Sequence, residues 1–325
     1  MLRKANALAA ACGVILAMAA SASAWSQQYP ARPIRIVDGF PPGGGTDTLS
    51  RAISQKLSES WGQPVVVDNR PGASSNVGAQ IAARAAPDGY TVFMGLAGVL
   101  APSVTLYPKL QYNLLTDLTP VSKVASGIYV MLVNATLPAK SVGDLITYAK
   151  SKEGALRYSS AGVGSPAHLA GELFNLRANV KIQHVPYKGG APAAAAIASG
   201  EAQVTFVSVP AGLPLTNGGK ARAIAVTPMR TKAYPGVPTI AESGLPGFEI
   251  TLAYGLLAPA GTPKPIIAKL NAEVARILKM PDVVDRLSAF GLEADPSTPE
   301  AFGKLLKDEV ALWAKVIKQA NIRVE

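Results

Sequence analysis

The sequence predicts an α/β protein built from two similar units that face each other across a ligand cleft. Three observations predict it. Short apolar runs alternate with helical patterns through most of the chain, which implies a parallel sheet with helices on its faces. The alternation forms two consecutive series, with a boundary near residues 121–127. In each series a strand passes into a helix through a glycine-rich loop, residues 40–47 in the first and 159–169 in the second.

In the first series, residues 33–37 (Pro-Ile-Arg-Ile-Val) read as a short buried strand that breaks at residues 38–45. Thr46-Asp47 opens a helix whose Leu49, Ile53 and Leu57 share one face, and Trp61-Gly62-Gln63-Pro64 stops it. Residues 65–67 form the next strand, 70–75 a loop and 76–85 a helix. Pro87-Asp88-Gly89 turns the chain into a third strand over 90–94. The second series has a strand over 129–133, a helix over 142–151, a strand over 157–160 and a helix over 166–176. Segments 182–185, 191–199, 203–207 and 221–226 continue it. Residues 255–259 read as a last strand. Helical patterns over 263–279, 281–290 and 298–320 follow with no strand between them. Packed back on the first unit, these helices would make it discontinuous: residues 25–126 with 253–325, enclosing a second unit of 127–252. No duplication is visible at the level of residues.

The chain has 325 residues, 49% hydrophobic and 16% charged, enough to bury a full core in about two domains and to exclude a disordered chain. Residues 1–24 read as a secretory signal. Arg3 and Lys4 precede an apolar run over 7–20, and Ala22-Ser23-Ala24 is a small-residue cleavage pattern that places the cut after Ala24. The run is too short for a membrane span, which needs about 20 apolar residues. The only cysteine, Cys12, lies in this leader. The mature chain would therefore hold no disulfide, thiolate metal site or cysteine nucleophile, which suits export to the periplasm. The net charge is +10, but Lys and Arg are scattered and form no run. That argues against nucleic acid as a partner and leaves the charge as a solubility and steering effect.

The candidate chemistry lies in the loops. In Phe40-Pro41-Pro42-Gly43-Gly44-Gly45-Thr46-Asp47, three glycines let the backbone approach a ligand. The helix that follows points free amides and a positive dipole end at the same place, an anion site. Thr46 or Asp47 as a mere helix cap is the alternative reading. The loop is not a nucleotide-binding P-loop, because no Lys followed by Ser or Thr comes after its last glycine, and the dinucleotide fingerprint fails on spacing. The second loop, residues 159–169 (Ser-Ser-Ala-Gly-Val-Gly-Ser-Pro-Ala-His-Leu), repeats the design, with Ser165 as N-cap and Pro166 in the first turn. A third loop, residues 184–192, offers Tyr187, either to the cleft or to the core. After another strand, Phe206-Val207-Ser208-Val209-Pro210 offers Ser208. A serine hydrolase using Ser165 finds little support. No Gly-x-Ser-x-Gly elbow occurs, and His168 is three residues along the same helix, a spacing for local bonding. His168 and His184 are the only histidines, and no matched carboxylate pattern makes them a metal site. No cofactor is expected.

These residues resemble a known family. Residues 33–47, 68–72 (Asp-Asn-Arg-Pro-Gly), 86–90 (Ala-Pro-Asp-Gly-Tyr), 138–141 (Pro-Ala-Lys-Ser), 164–169, 185–190 (Val-Pro-Tyr-Lys-Gly-Gly) and 257–263 (Leu-Ala-Pro-Ala-Gly-Thr-Pro) occur in order along the mature chain. Together they resemble the tripartite tricarboxylate transporter receptors, the Bug-type extracytoplasmic solute receptors. The resemblance implies a two-lobe periplasmic binding protein of type II, a Venus flytrap with a hinge and a central cleft. It implies a small organic carboxylate as ligand and permease subunits as membrane partners. The expected form is a monomer with no catalytic residue. By motif, the first lobe would use Phe40, Gly44, Gly45, Thr46 and Asp47, with Ala97 and Gly98 after the third strand. The second would use Ser160, Gly164, Ser165, His168, Tyr187 and Ser208. Two departures stand out: Asp38 where members often carry Pro, and Val207-Ser208 where many carry Asp-Asn. The second makes one wall less polar and would suit an aromatic or longer aliphatic acid. A sensor subunit that presents bound ligand to a signalling partner is the other binding role open to such a receptor.

Overall fold

The computed structural model describes residues 29–250 and 252–324. The leader and its cleavage point lie outside the described residues. The chain runs through β1 (Ile34–Asp38), α1 (Gly45–Trp61), β2 (Val65–Asn69), α2 (Asn76–Ala83), β3 (Thr91–Leu96), α3 (Ala97–Leu106) and β4 (Leu118–Gly127). It continues through β5 (Tyr129–Asn134), α4 (Val142–Ser151), β6 (Arg157–Ser160), α5 (Pro166–Ala178), β7 (Gln183–Pro186), α6 (Gly190–Ser199), β8 (Val204–Ser208), α7 (Val209–Asn217) and β9 (Ala221–Thr227). It ends with β10 (Leu252–Pro259), α8 (Lys264–Ile277), α9 (Pro281–Ala289), β11 (Leu292–Ala294) and α10 (Pro299–Gln319).

Two mixed sheets result, in the orders β2-β1-β3-β10-β4-β11 and β7-β6-β8-β5-β9. The sheets are not wholly parallel, as the local alternation implied. In each, three strands run parallel and the next runs antiparallel: β10 beside β3 in the first sheet, β5 beside β8 in the second. The inserted strand comes each time from a chain crossing, which a local pattern of strand and helix does not reveal. The two sheets therefore share one topology although the residues show no duplication. The crossings are neighbours in space. Gly127 ends β4 and leads through Ile128 to Tyr129, while its register partner Leu252 begins β10.

Other differences from the sequence reading have simple causes. Residues 121–127, read as lying near a boundary, belong to the strand β4 and end at the crossing into β5. A strand does separate the C-terminal helices: β11 has only three residues and gains its identity from pairing with β4. Helix α3 carries Pro102 and is buried on most sides, so it shows no amphipathic stripe. Helix α7 carries Pro210 and Pro214. Helix α1 behaves as read: Leu49, Ile53 and Leu57 are buried, and Gly62 closes it in the left-handed conformation, its N–H donating to the Ser58 carbonyl.

The C-terminal helix α10 lies against α3 and β4, and sends Trp313 and Phe302 into the core. Gly255 of β10 is opposite Gly95 of β3, and the Phe302 ring fills the space a side chain at Gly255 would need. Gly255→Ala should therefore overpack the core and cost about 1–3 kcal/mol. Gly143→Ala is the contrast. That glycine is inside α4 with its nearest neighbour, Ser141 Oγ, 3.7 Å from the added carbon, so alanine should stabilise by about 0.4–1 kcal/mol. Urea midpoints check both; a Gly255→Ala variant as stable as the parent would contradict the packing described.

Candidate ligand-binding site

The C-terminal ends of β1, β2 and β3 and the start of β10 lie at one edge of the first sheet. The C-terminal ends of β6, β7, β8 and β9 and the start of β5 lie at one edge of the second. Both edges border the crossing at Gly127–Tyr129, and the loops singled out above emerge from them. α/β folds bind ligands at strand ends of this kind.

The first loop is fixed by a buried carboxylate. Asp47 is 4% exposed, in the first turn of α1. Its Oδ2 accepts from the Gly43 N–H at 3.0 Å and from Arg51 Nε at 2.8 Å, and its Oδ1 accepts from Asn69 Nδ2 at 3.0 Å. Asn69 also donates to the Phe40 carbonyl. Burial alone would raise the Asp47 pKa, but the bonds from Arg51, Gly43 and Asn69 outweigh it and hold the carboxyl below its ordinary range. The Asp47 carboxylate thus caps no helix amide; it anchors the loop. Asp38, fully buried at the end of β1, does similar work by accepting from the Phe40 N–H and Ser50 Oγ. Burial raises its pKa despite the bonds from Phe40, Ser50 and Thr46.

With Asp47 occupied, the start of α1 stays bare. Gly44 is the N-cap and supplies no side chain, and the first helical bond is from the Thr48 N–H to the Gly44 carbonyl. The N–H groups of Gly45, Thr46 and Asp47 find no acceptor among the described residues. Three amides and a helix dipole therefore converge where Gly44 is exposed and Phe40 half-buried.

The second loop is organised differently. The Gly162 N–H donates to Ser160 Oγ at 3.1 Å, the Ser165 N–H to the Gly162 carbonyl, and the Gly164 N–H to His168 Nδ1 at 3.0 Å. Ser165 Oγ accepts the His168 N–H at 3.4 Å and so acts as the N-cap of α5. Most amides of this loop are already satisfied from within. The His168 ring stacks on His184 at 3.8 Å, and His184 stacks on Tyr158 at 4.9 Å. His184 Nε2 is 2.6 Å from Ser160 Oγ. Burial pushes His168 down to about 4; burial and the neighbouring His168 push His184 to about 3. Both rings are neutral near pH 7. The one carboxylate nearby, Glu172, accepts from the Tyr158 hydroxyl at 2.6 Å. Ser165 and His168 thus make no nucleophile–base pair.

The remaining candidates are placed as follows. Ala97 is fully buried and Gly98 buried, both in the first turn of α3 rather than in a loop. Ser160 is buried at the end of β6 and Ser208 half-buried at the end of β8, in register with Tyr129. Tyr187 packs its ring on the apolar cluster behind the second sheet, and its enclosed hydroxyl finds no partner among the described residues. Gly164 brings the two units together: a carbon added there would be 3.0 Å from Leu106 of α3 and 3.5 Å from Val324. The sequence reading missed Arg51 and Asn69, which serve Asp47, and Tyr129 and Tyr254, which stand at the crossings. Asn69 lay within a quoted motif, whereas the tyrosines gave no local signal.

A groove of about 860 Å³ opens elsewhere, lined by Leu118, Pro120, Lys264, Asn271, Lys304 and Lys307 among others. Pro120 is roughly 20 Å along β4 from Gly127, so this groove is not part of the site. Among the described residues no group of three His, Cys, Asp or Glu could hold a metal, and no helix is long and apolar enough to cross a membrane.

Comparison with known proteins places the chain in a family and a fold. A family model described as the tripartite tricarboxylate transporter family receptor matches residues 49–322. The chain is 36% identical over 321 residues to Protein BugT of Bordetella pertussis, covering 98% of each. An R. palustris protein solved with adipate has a TM-score of 0.76 at 38% identity, covering 91% of this chain and 99% of its own. MatC from Rhodopseudomonas palustris, solved with bound malate, has a TM-score of 0.72 at 33% identity, covering 89% and 100%. The fold is that of the periplasmic binding proteins, and the family and its solved neighbours are solute-binding receptors rather than enzymes. The chain belongs to the tripartite tricarboxylate transporter receptor family.

Proposed function

We propose that the protein is an exported, monomeric periplasmic receptor that closes two lobes over a small carboxylate and delivers it to the permease subunits of a tripartite transporter. The lobes would be residues 25–126 with 253–325, and residues 127–252. One observation carries the reading: the amides of Gly45, Thr46 and Asp47 are left without acceptors at the start of α1 while the Asp47 carboxylate is fully engaged. A carboxylate oxygen placed there accepts charge-assisted bonds from fixed donors and needs no cation. That two relatives were solved with adipate and malate supports the same ligand class here.

The second lobe supplies a preformed wall. Its loop is held from within by Ser160 and His168, so closure would bring a rigid surface with half-buried Ser208 and Ser165 against the ligand. Val207 is buried in the apolar cluster, so this wall is less polar than an Asp-Asn pair would make it. The reading favours a flexible aliphatic diacid over a densely charged triacid. Rotation about Gly127–Ile128 and the neighbouring return crossing would open and close the cleft. A ligand that bonds both lobes only when closed shifts that equilibrium.

A thermal-shift and calorimetric screen should find that adipate or another dicarboxylate of four to six carbons raises the melting temperature, with a smaller radius of gyration by X-ray scattering. No response to mono-, di- or tricarboxylates or aromatic acids would contradict the reading. Gly44→Asp is a sharper test. Gly44 is exposed with negative φ, so Asp fits and is a favourable N-cap, but its carboxylate takes the place of the ligand's. The melting temperature should hold or rise while affinity falls at least about tenfold, the scale of one charge-assisted bond. Equal affinity would move the site elsewhere. The histidine pair predicts an acid response. Both folded values, about 4 and about 3, lie below the ordinary 6.5, so the unfolded chain binds more protons between them. Stability is fully present above about pH 6.5 and is lost as pH falls toward 4. Urea midpoints should decline through this window, and less steeply in His184→Gln; an equal slope would remove the pair from the account.

A further inference from the structure

The two tyrosines at the crossings are unlike the other buried tyrosines of the protein. The hydroxyls of Tyr29, Tyr112 and Tyr158 donate to the Gly89 carbonyl, Asn76 Oδ1 and Glu172 Oε1. Tyr129 and Tyr254 are each 8% exposed, yet neither hydroxyl bonds to any group among the described residues. Neither oxygen is fully enclosed, as the unpartnered Ser75 and Tyr187 hydroxyls are, so each is open to water or a ligand. Their positions indicate which. Tyr129 begins β5, in register with Ser208 and Thr227. Tyr254 is near the start of β10, in register with Leu96 and Ala125. These are the two inserted antiparallel strands, one in each sheet. The Tyr254 hydroxyl oxygen is 2.9 Å from where a Cβ on Gly45 would stand, beside the bare amides of α1.

We propose that Tyr129 and Tyr254 are ligand-reading residues: a pair of phenol donors, one from each sheet, at the floor of the cleft that bond the inner carboxylate of a dicarboxylate together with the α1 amides. This deepens the reading given above and rests on it. Burial keeps both groups protonated and able to donate: it pushes Tyr254 up to about 12 and Tyr129 further, with Tyr254 nearby adding to the latter. An approaching carboxylate therefore meets O–H groups and N–H groups and no phenolate. Because the phenols sit on different sheets, one ligand end would bond both sheets at once. An ammonium group in the same place would face the positive end of the α1 dipole, so amino diacids are disfavoured against plain diacids of the same length.

Tyr129→Phe and Tyr254→Phe remove one oxygen each and no packing. Calorimetry with adipate, malate, glutarate and glutamate tests them. The wild type should prefer glutarate to glutamate. Each variant should lose affinity for the diacids by about 10- to 100-fold, the scale of a hydrogen bond to a charged group, while the ligand-free melting temperature stays level or rises. A role in packing alone would lower the melting temperature instead. If both variants bind the diacids as the wild type does, while Gly44→Asp does not, the phenol pair is overturned and the receptor reading stands. If the wild type binds none of the four acids, both are overturned.

Discussion

The Asp47 carboxylate is the constraint on which the first loop depends. It is buried, it accepts from Gly43, Arg51 and Asn69, and through Asn69 it holds the Phe40 carbonyl. A capping residue in its place would satisfy amides of α1 and close the proposed anion site. By turning its oxygens toward the loop and Arg51, Asp47 leaves those amides free. An isolated negative charge beside the site would repel a carboxylate; paired with Arg51, it does so far less. The proposed site thus offers an anion N–H donors and the positive end of a helix dipole, with the Asp47 charge already paired.

The two units share a topology but divide the work. The first exposes bare amides. The second consumes its own: Ser160, Ser165 and His168 occupy the amides of Gly162, His168 and Gly164, and the stacked His168, His184 and Tyr158 rings back the loop. A closing receptor gains from this asymmetry. In the proposed mechanism one side would bind the ligand in the open state, and the other would contribute a stiff surface that costs little further ordering on closure. The inserted strands β5 and β10 join the halves, and the unpartnered phenols stand on them.

Much of this was legible in the sequence, and the exceptions have physical causes. Helix α1 was readable because Leu49, Ile53 and Leu57 keep a helical period and Gly62 ends it. The glycine loops were readable as loops, and Ser165 was readable as an N-cap. The role of Asp47 was not: a Thr-Asp pair at a helix start looks the same whether the carboxylate caps or turns away toward Arg51 and Asn69. The antiparallel β10 and β5 were hidden because pairing across a crossing leaves no local period. Strand β11 exists only through its partner β4. Tyr129 and Tyr254 sit in apolar runs where a tyrosine reads as core, and the lack of a hydrogen-bond partner among the described residues sets them apart from the other buried tyrosines.

The amide resonances of Gly45, Thr46 and Asp47 offer the most direct measurement. In ¹⁵N-labelled protein titrated with adipate, these three should move downfield together and saturate with a single affinity, as N–H groups do on gaining an anionic acceptor. If they stay fixed while resonances around Leu118 to Pro120 or Lys304 to Lys307 respond, the ligand is held in the distant groove and the account of the α1 amides is wrong.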